Sequence, residues 1–437
     1  IKIVALSIHA EKKFVQEMLQ AGAAGYLLKD SVPEEIIDSI RTVMQDKIYL
    51  SASITGIVVT QYVNVLSKAA VLEEKPSQEP DDATLLRTKL HAAPLTGDVI
   101  PRTHLVNKLS DMLRRPFTLV SAAAGYGKST MASLWLKAWN GPYGWVSLDE
   151  DENDLRIFIT YLLAAIQSSP GEGFSKSCGR VQSLLQAPVL PPIADLCRYL
   201  LNDLDEIETP FLLVLDDYHK ISDPNVHELI SGLMNHPTRS MHLMLLTRRD
   251  PPLPIGKLRG RGQINEIGIF QLRFTMEETT LFLDQNLGSS VDKTTATTIH
   301  ERLEGWAAGM HLMSHSLRGR KDVKHLVAGL QGSFSSIFEY LMAEVLSQQS
   351  EEMARLMVET AILNRFCASL CDAMHRRDTR ADAGGPDFEE SNHDGIDGQT
   401  FIAHLMTNNL FLIPLDAENR WFRYHHLFQN LLVDQLK

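Results

Sequence analysis

Cysteine is scarce in this chain. Four in 437 residues do not make a disulfide framework, and they point to a reducing, cytoplasmic setting. Long apolar runs are absent too. None reaches the roughly 18 to 20 residues that span a bilayer, and no signal-peptide pattern opens the chain, so no membrane partner is expected. Positive charge is in deficit, with 42 Lys and Arg against 54 Asp and Glu and a formal net charge of −12. That excludes a chain-wide polyanion-binding surface while leaving room for a local basic cluster. No internal repeat of about 20 to 50 residues is visible. What remains is an ordinary globular composition, 44% apolar, long enough for two to four domains with sizeable cores.

The first 60 residues alternate strand and helix. "IKIVALS" is a short apolar run of the buried parallel kind. Phe14, Val15, Met18 and Leu19 follow at helical spacing, and "GYLLKD" gives a second short strand. Ser31 and Glu34 make a capping box. Behind it Ile36, Ile37, Ile40, Val43 and Met44 stripe a helix. The acidic, proline-punctuated "EEKPSQEPDDA" at 73–83 reads as a linker, and 376–398 as a mobile loop between two helical patterns.

The chemistry begins at "SAAAGYGKST", 121–130. An apolar strand, "PFTLV", leads into this turn. Met131, Leu134, Trp135, Ala138 and Trp139 then recur as an amphipathic helix. Strand, glycine-bearing loop and helix N-terminus together form a phosphate cradle of backbone N–H groups. Ala124, Gly125, Tyr126, Gly127, Lys128, Ser129 and Thr130 are the expected phosphate-binding set. Lys128 would reach the β/γ-phosphates and the Ser129 hydroxyl would ligate Mg²⁺. Ala122 stands where the usual pattern has its first glycine, a substitution tolerable if φ stays negative. Gly125 and Gly127 would keep side chains away from the phosphates.

Two further strands end in polar chemistry. "PFLLVLDDYH" runs into Asp216, expected at the Mg²⁺ water shell, and Asp217, expected to polarise an attacking water. "HLMLLTRRD" ends in Thr247, Arg248 and Arg249, and a guanidinium at Arg248 suits a γ-phosphate. Three strands carrying such residues at their carboxyl ends predict an open α/β sheet with its ligand at that edge.

Several stretches together resemble one family: the signal-transduction ATPases called STAND, in the MalT-like branch of the LuxR-type transcriptional activators. They are "IPRTHLVNKL", "SAAAGYGKST", "GWVSLDEDENDLRIF", "LVLDDYH", "TRRDPPLPIGKLRGRG", "LEGWAAGMHLM" and "NNLFLIPLDAENRWFRYHHLF", across 99–437. In that branch a small residue other than glycine commonly opens the loop, as Ala122 does here. The resemblance implies a P-loop NTPase domain at 99–272, a small helical domain at 273–332 and a winged-helix domain at 333–437. It places Arg102 near adenine and ribose, Gly305, Trp306 and Gly309 in the motif beside the base, and His425 on the β-phosphate of ADP. The proline that wider relatives carry in that motif is absent. Residues 1–65 resemble the C-terminal half of a flavodoxin-like response-regulator receiver, with Lys29 and Ser7 matching its phosphate-contacting lysine and switch hydroxyl. The receiver's phosphoacceptor is absent, so a domain cut upstream is expected, and 66–98 would be a linker. Complete relatives continue into helical repeats and a helix-turn-helix, expected to lie beyond Lys437.

The leading expectation is thus an ATP/ADP- and Mg²⁺-binding regulatory switch with slow hydrolysis and self-association in the ATP state. DNA would be reached only through the missing helix-turn-helix, and a histidine kinase only through a full receiver. An ATP-driven enzyme with its own substrate and an ADP-binding interaction module without turnover stay open beside it. Weaker signals are Cys367, Cys371 and His375 as a metal face, and the basic cluster Arg248, Arg249, Lys257, Arg259 and Arg261. Buried packing and a solvated, phosphate-sensing face are the plainer explanations.

Overall fold

The structure, a computed structural model, describes residues 3–7, 23–28, 33–44, 49–50, 85–95, 99–171, 173–287, 291–318, 335–374 and 396–436. Its contacts divide the chain into two compact units, Ile1–Leu85 and Leu86–Lys437.

In the first unit β1 (Val4–Ser7), β2 (Gly25–Leu28) and β3 (Tyr49–Leu50) form a parallel sheet in that order. The two expected strands are present, and β3 adds a third. Helix α1 (Pro33–Met44) opens on a proline, whose missing N–H costs nothing in a first turn. Val43 is buried, but Met44 is 71% exposed. Neighbouring helical residues point about 100° apart, so the two cannot share one face. Lys29, the helical run at Phe14–Leu19 and the 73–83 linker lie outside the described residues.

The second unit begins at Leu86, within the expected 66–98 linker. Lys89 is buried there and pairs with Asp149 (2.6 Å) and Glu152 (2.7 Å). The Tyr161 hydroxyl accepts the Leu86 amide at 3.0 Å. A linker-like composition conceals this anchorage because its partners lie some 60 to 75 residues away.

Five strands build the main sheet: β4 (Phe117–Ser121), β5 (Tyr143–Ser147), β6 (Phe211–Asp216), β7 (Met241–Thr247) and β8 (Ile264–Ile267). All are parallel, in the order β5-β6-β7-β4-β8. Every residue of β6 and β7 is buried, as strands covered on both faces require. The associated helices are α2 (Thr103–Met112), α3 (Lys128–Trp139), α4 (Leu155–Gln167), α5 (Ile193–Asp205) and α6 (Pro224–Asn235). Asp154 caps α4, and Asp223 caps α6 ahead of a proline at its first position. The decisive feature is that β7 inserts between β4 and β6. The carboxyl ends of all three therefore meet along one edge.

Helices α7 (Met276–Leu287), α8 (Lys293–Leu303) and α9 (Ala307–Leu317) follow. The C-terminal part contains α10 (Ser335–Glu344), α11 (Glu351–Thr360) and α12 (Gly398–Thr407). An antiparallel hairpin of β9 (Leu412–Pro414) and β10 (Phe422–Tyr424) precedes α13 (His426–Gln435), and Phe366 bridges Phe422. Of the loop expected at 376–398, all but the last residues lie outside the described part. Asp397 already caps α12. One apolar core runs from Val120 and Trp135 through Trp306 to Phe411 and Phe428. Among the described residues no helix is long and apolar enough to cross a membrane.

Candidate functional site

The loop between β4 and α3 turns through Gly125 (φ +77°) and Gly127 (φ +76°). Ala122 is not among the positive-φ residues and its amide donates to the Thr247 carbonyl at 3.2 Å. Alanine is therefore unstrained at this position. The two glycines serve different ends. A Cβ on Gly127 would meet nothing nearer than 3.9 Å, so that glycine answers to backbone conformation alone. A Cβ on Gly125 would fall 2.6 Å from Ala308 Cβ and 2.7 Å from Trp306 Nε1. The helical region packs against this glycine, and the space beside it is filled by protein rather than left clear.

Lys128 is buried, and its ammonium donates to the carbonyls of Ala122 (2.8 Å) and Ala123 (3.0 Å). Burial and then the Arg248 charge push its pKa down to about 8, against the pull of Asp217 and Asp216. Those couplings bring together the groups expected from β4, β6 and β7. Asp216 is buried at the end of β6. It accepts the Asp217 amide at 2.9 Å and a hydrogen bond from Ser129. Burial first and Asp217 second raise its pKa to about 6. Asp217 sits in the left-handed region at φ +56°, a conformation Asp adopts more readily than most residues, and its side chain is 40% exposed. Arg248, beyond the end of β7, is not free: its Nη1 donates to Glu344 Oε2 of α10 at 2.6 Å.

Arg102, Trp306 and His425, expected near the nucleotide, are each held by protein partners. Arg102 borders the cavity described below, but its guanidinium is engaged by Glu278 at 3.0 and 3.1 Å and by the carbonyls of Leu272 (2.7 Å) and Arg273 (3.1 Å). It joins the segment before α2 to the start of α7. Trp306 is fully buried and donates its indole N–H to the Ala124 carbonyl at 3.0 Å. The neighbouring Ala308 amide donates to Gly125 at 2.9 Å. Trp306 thus braces the loop between β4 and α3. His425 is buried with both ring nitrogens in use: Nε2 lies 3.0 Å from the Leu303 carbonyl, and Nδ1 accepts the Leu427 amide at 3.3 Å. Burial holds it neutral, with a pKa lowered to about 4. Gly305 (φ +72°) and Gly309 accompany the same brace, since a Cβ on Gly309 would strike the Trp306 ring at 2.5 Å.

Beside the loop lies a cavity of about 310 Å³, walled by Val99, Ile100, Tyr126, Leu134, Phe274 and Phe282 and bordered by Gly125, Gly127 and Thr130. An apolar slot adjoining a ring of loop amides suits a flat base joined to phosphates. Ser129 and Asp216, joined by a hydrogen bond, offer hard oxygens. That is the partial set a Mg²⁺ takes from protein when phosphate and water supply the rest. Among the described residues no cluster of three or more His, Cys, Asp or Glu could hold a metal alone. Cys371 is buried, Cys367 partly so, and His375 lies outside the described residues. The basic cluster is largely paired. Arg259 binds Glu266, Lys257 donates to Asn235, and Arg249 donates to the His219 carbonyl.

Several residues of the site carried no expectation. Asn409 donates to Ser121 Oγ (3.0 Å) and to the Arg248 carbonyl (3.1 Å), holding the ends of β4 and β7 from the C-terminal part. Glu304 binds Arg423 through both oxygens at 2.8 and 2.9 Å. His219 has a buried Nδ1 with no hydrogen-bond partner, 3.7 Å from Asp217 Oδ1. Burial and then Arg248 lower its pKa to about 3. Asn409, Glu304 and His219 all fall within the stretches quoted above, whereas Glu278 and Glu344 left no signal in the sequence.

Fold and site define a P-loop NTPase-type parallel sheet followed by a winged helix. Comparison with known proteins carries this further. A model of the AAA ATPase domain matches residues 98–246, and one of the MalT winged helix domain matches 342–437. The HTH-type transcriptional regulator MalT of Klebsiella pneumoniae (strain 342) is 31% identical over 350 residues, 80% of this chain and 36% of that protein. The protein of the same name from Yersinia enterocolitica is 32% identical over 353 residues, again 80% and 36%. The chain therefore spans about a third of the length of these curated relatives. A Walker-type ATPase of Pyrococcus abyssi superposes with a TM-score of 0.50 at 15% identity, over 77% of this chain and 96% of that one. At that identity the likeness speaks for the fold alone.

Proposed function

We propose that this chain is the ATP/ADP-binding regulatory switch of a MalT/LuxR-type transcriptional activator, gated by nucleotide and hydrolysing ATP slowly. One observation carries the proposal: Lys128, Asp216, Asp217 and Arg248 come from the carboxyl ends of three adjacent strands, the last three each within electrostatic reach of Lys128. The likeness to MalT regulators supports the transcriptional setting, with DNA contacted through a helix-turn-helix. The parallel strands of the first unit agree with a receiver-like element, and hence with a histidine kinase as input. Self-association in the ATP state and a cytoplasmic location complete the reading.

In this mechanism Lys128 leaves the loop carbonyls and turns its ammonium to phosphate oxygens, joined by the amides of 124–130. Ser129 and Asp216 would hold Mg²⁺, which would supply positive charge against that of the phosphates. Asp217, the more exposed carboxylate, orients and deprotonates a water. Arg248 receives the terminal phosphate in its planar fork. Arg102, Trp306 and His425 act indirectly, by fixing the loop and joining the helical and winged-helix parts to it.

The test is phosphate release from ATP by the 437-residue chain and by Asp217→Ala. Release should fall by about a hundredfold in the variant, as removal of a general base does, while ADP still binds. Unchanged release would take that role from Asp217, and failure of the parent chain to bind either nucleotide would end the proposal.

A further inference from the structure

Helix α10 sends two side chains toward the nucleotide edge from one face, since residues four apart in a helix are neighbours. Tyr340 packs its ring on Trp306 with centroids 5.8 Å apart, directly behind the phosphate loop. One turn on, the Glu344 carboxylate meets Arg248 at 2.6 Å. Arg248 is a third exposed and Glu344 39% exposed, so this pair is neither sealed in a core nor loose on the surface. Around it the charge is unevenly divided. Lys128 is coupled to Arg248, Asp216 and Asp217, His219 to Lys128, Arg248, Lys220 and Arg249, and Glu344 comes from a different part of the chain than all of them. Asn409 reinforces the contact by bonding the backbone carbonyl of Arg248 itself.

We infer that Glu344 is a specificity-determining residue: it occupies Arg248 in place of a terminal phosphate and makes this fold select nucleoside diphosphate over triphosphate. The physical basis is competition for one guanidinium. Carboxylate and phosphate oxygens both accept from a guanidinium, and the Arg248 Nη1 that donates to Glu344 cannot offer the same N–H to a phosphate in its best geometry. A γ-phosphate brought to Arg248 would also place at least one further negative charge beside Glu344, a like-charge contact whose cost grows as water is excluded. A diphosphate ends short of that contest and leaves the pair intact. Triphosphate therefore binds by displacing Glu344, and α10 moves with it, loosening Tyr340 from Trp306. Selectivity and movement of the C-terminal part are one event. The inference rests on the proposed nucleotide site and goes beyond it by naming the residue that tells the two nucleotides apart.

The test compares the affinities of ADP and of the slowly hydrolysed analogue ATPγS, each with Mg²⁺, by calorimetry on the 437-residue chain, Glu344→Gln and Glu344→Asp. Glu344→Gln keeps the shape and removes the charge. The preference for ADP should shrink on the order of tenfold, a typical coupling between linked sites, chiefly through tighter ATPγS binding. Glu344→Asp, which keeps the charge, should retain part of the preference. Hydrogen exchange supplies a readout independent of affinity: ATPγS should deprotect the amides of 335–344 in the parent chain, and ADP should not. An ADP-to-ATPγS ratio that is the same in parent and Glu344→Gln, with both nucleotides bound, would overturn the inference and leave the nucleotide site standing. Binding of neither nucleotide to the parent chain would overturn the site as well.

Discussion

Gly125 and Gly127 look interchangeable in the string "AGYGKS", yet the structure asks different things of them. Both hold φ near +77°, where a Cβ costs roughly 1–2 kcal/mol. Only Gly125 also has Ala308 and Trp306 in the way. Gly127→Ala should therefore cost about 1 kcal/mol of unfolding free energy, and Gly125→Ala about 3, with loss of nucleotide binding as the loop is pushed off its brace. Urea midpoints of the two variants check the ranking, and equal midpoints would contradict it. The lysine was legible from spacing alone, because a Gly-Lys-Ser turn before a helix has few other uses. Its partners, the carbonyls of Ala122 and Ala123, were not, since they depend on how the loop folds back on the lysine.

Elements gain their meaning from what they are pinned to. The start of α7 is held by Arg102, a buried guanidinium clamped by Glu278 and three carbonyls at distances of 2.7 to 3.4 Å. Glu278→Ala would strand that charge, and such a loss typically costs about 3–5 kcal/mol. The expected result is a marked fall in thermal midpoint that added nucleotide does not restore. A change below about 1 kcal/mol would show that the pair is incidental. Helices α1 and α3 were readable from their apolar periodicity. Their assembly was not. The acceptors of Arg102 lie some 170 residues away, beyond the reach of any local pattern.

For the whole molecule, buried histidines set an acid limit. His425 and His242 have pKa values lowered to about 4 by burial, and His219 to about 3, against an ordinary 6.5. Between these values the unfolded chain binds protons that the folded chain refuses, so stability falls as pH drops from about 6.5 toward 4. Each unit of separation is worth about 1.4 kcal/mol. Asp216 opposes this. Its folded pKa, raised to about 6 from 3.8, makes the folded state the better proton binder between those values. Three histidines outweigh one carboxylate, and the urea midpoint should be clearly lower at pH 5 than at pH 7.5. Replacing His425 with Gln should flatten that slope even if it lowers stability at both pH values. A midpoint independent of pH would show that these rings are not held neutral.

Local patterns determined much of this protein. An apolar strand before a glycine loop, two carboxylates closing a second strand and an arginine closing a third arise from short-range chemistry, because phosphate and metal recognition demands set residue types at set spacings. Tertiary structure alone decided the order of the strands, with β7 between β4 and β6, and the distant partners of Arg102, Trp306, His425 and Arg248. Those partners are chosen by burial. A polar group withdrawn from water must find a hydrogen bond wherever the folded chain brings one, and no spacing along the sequence encodes where that is.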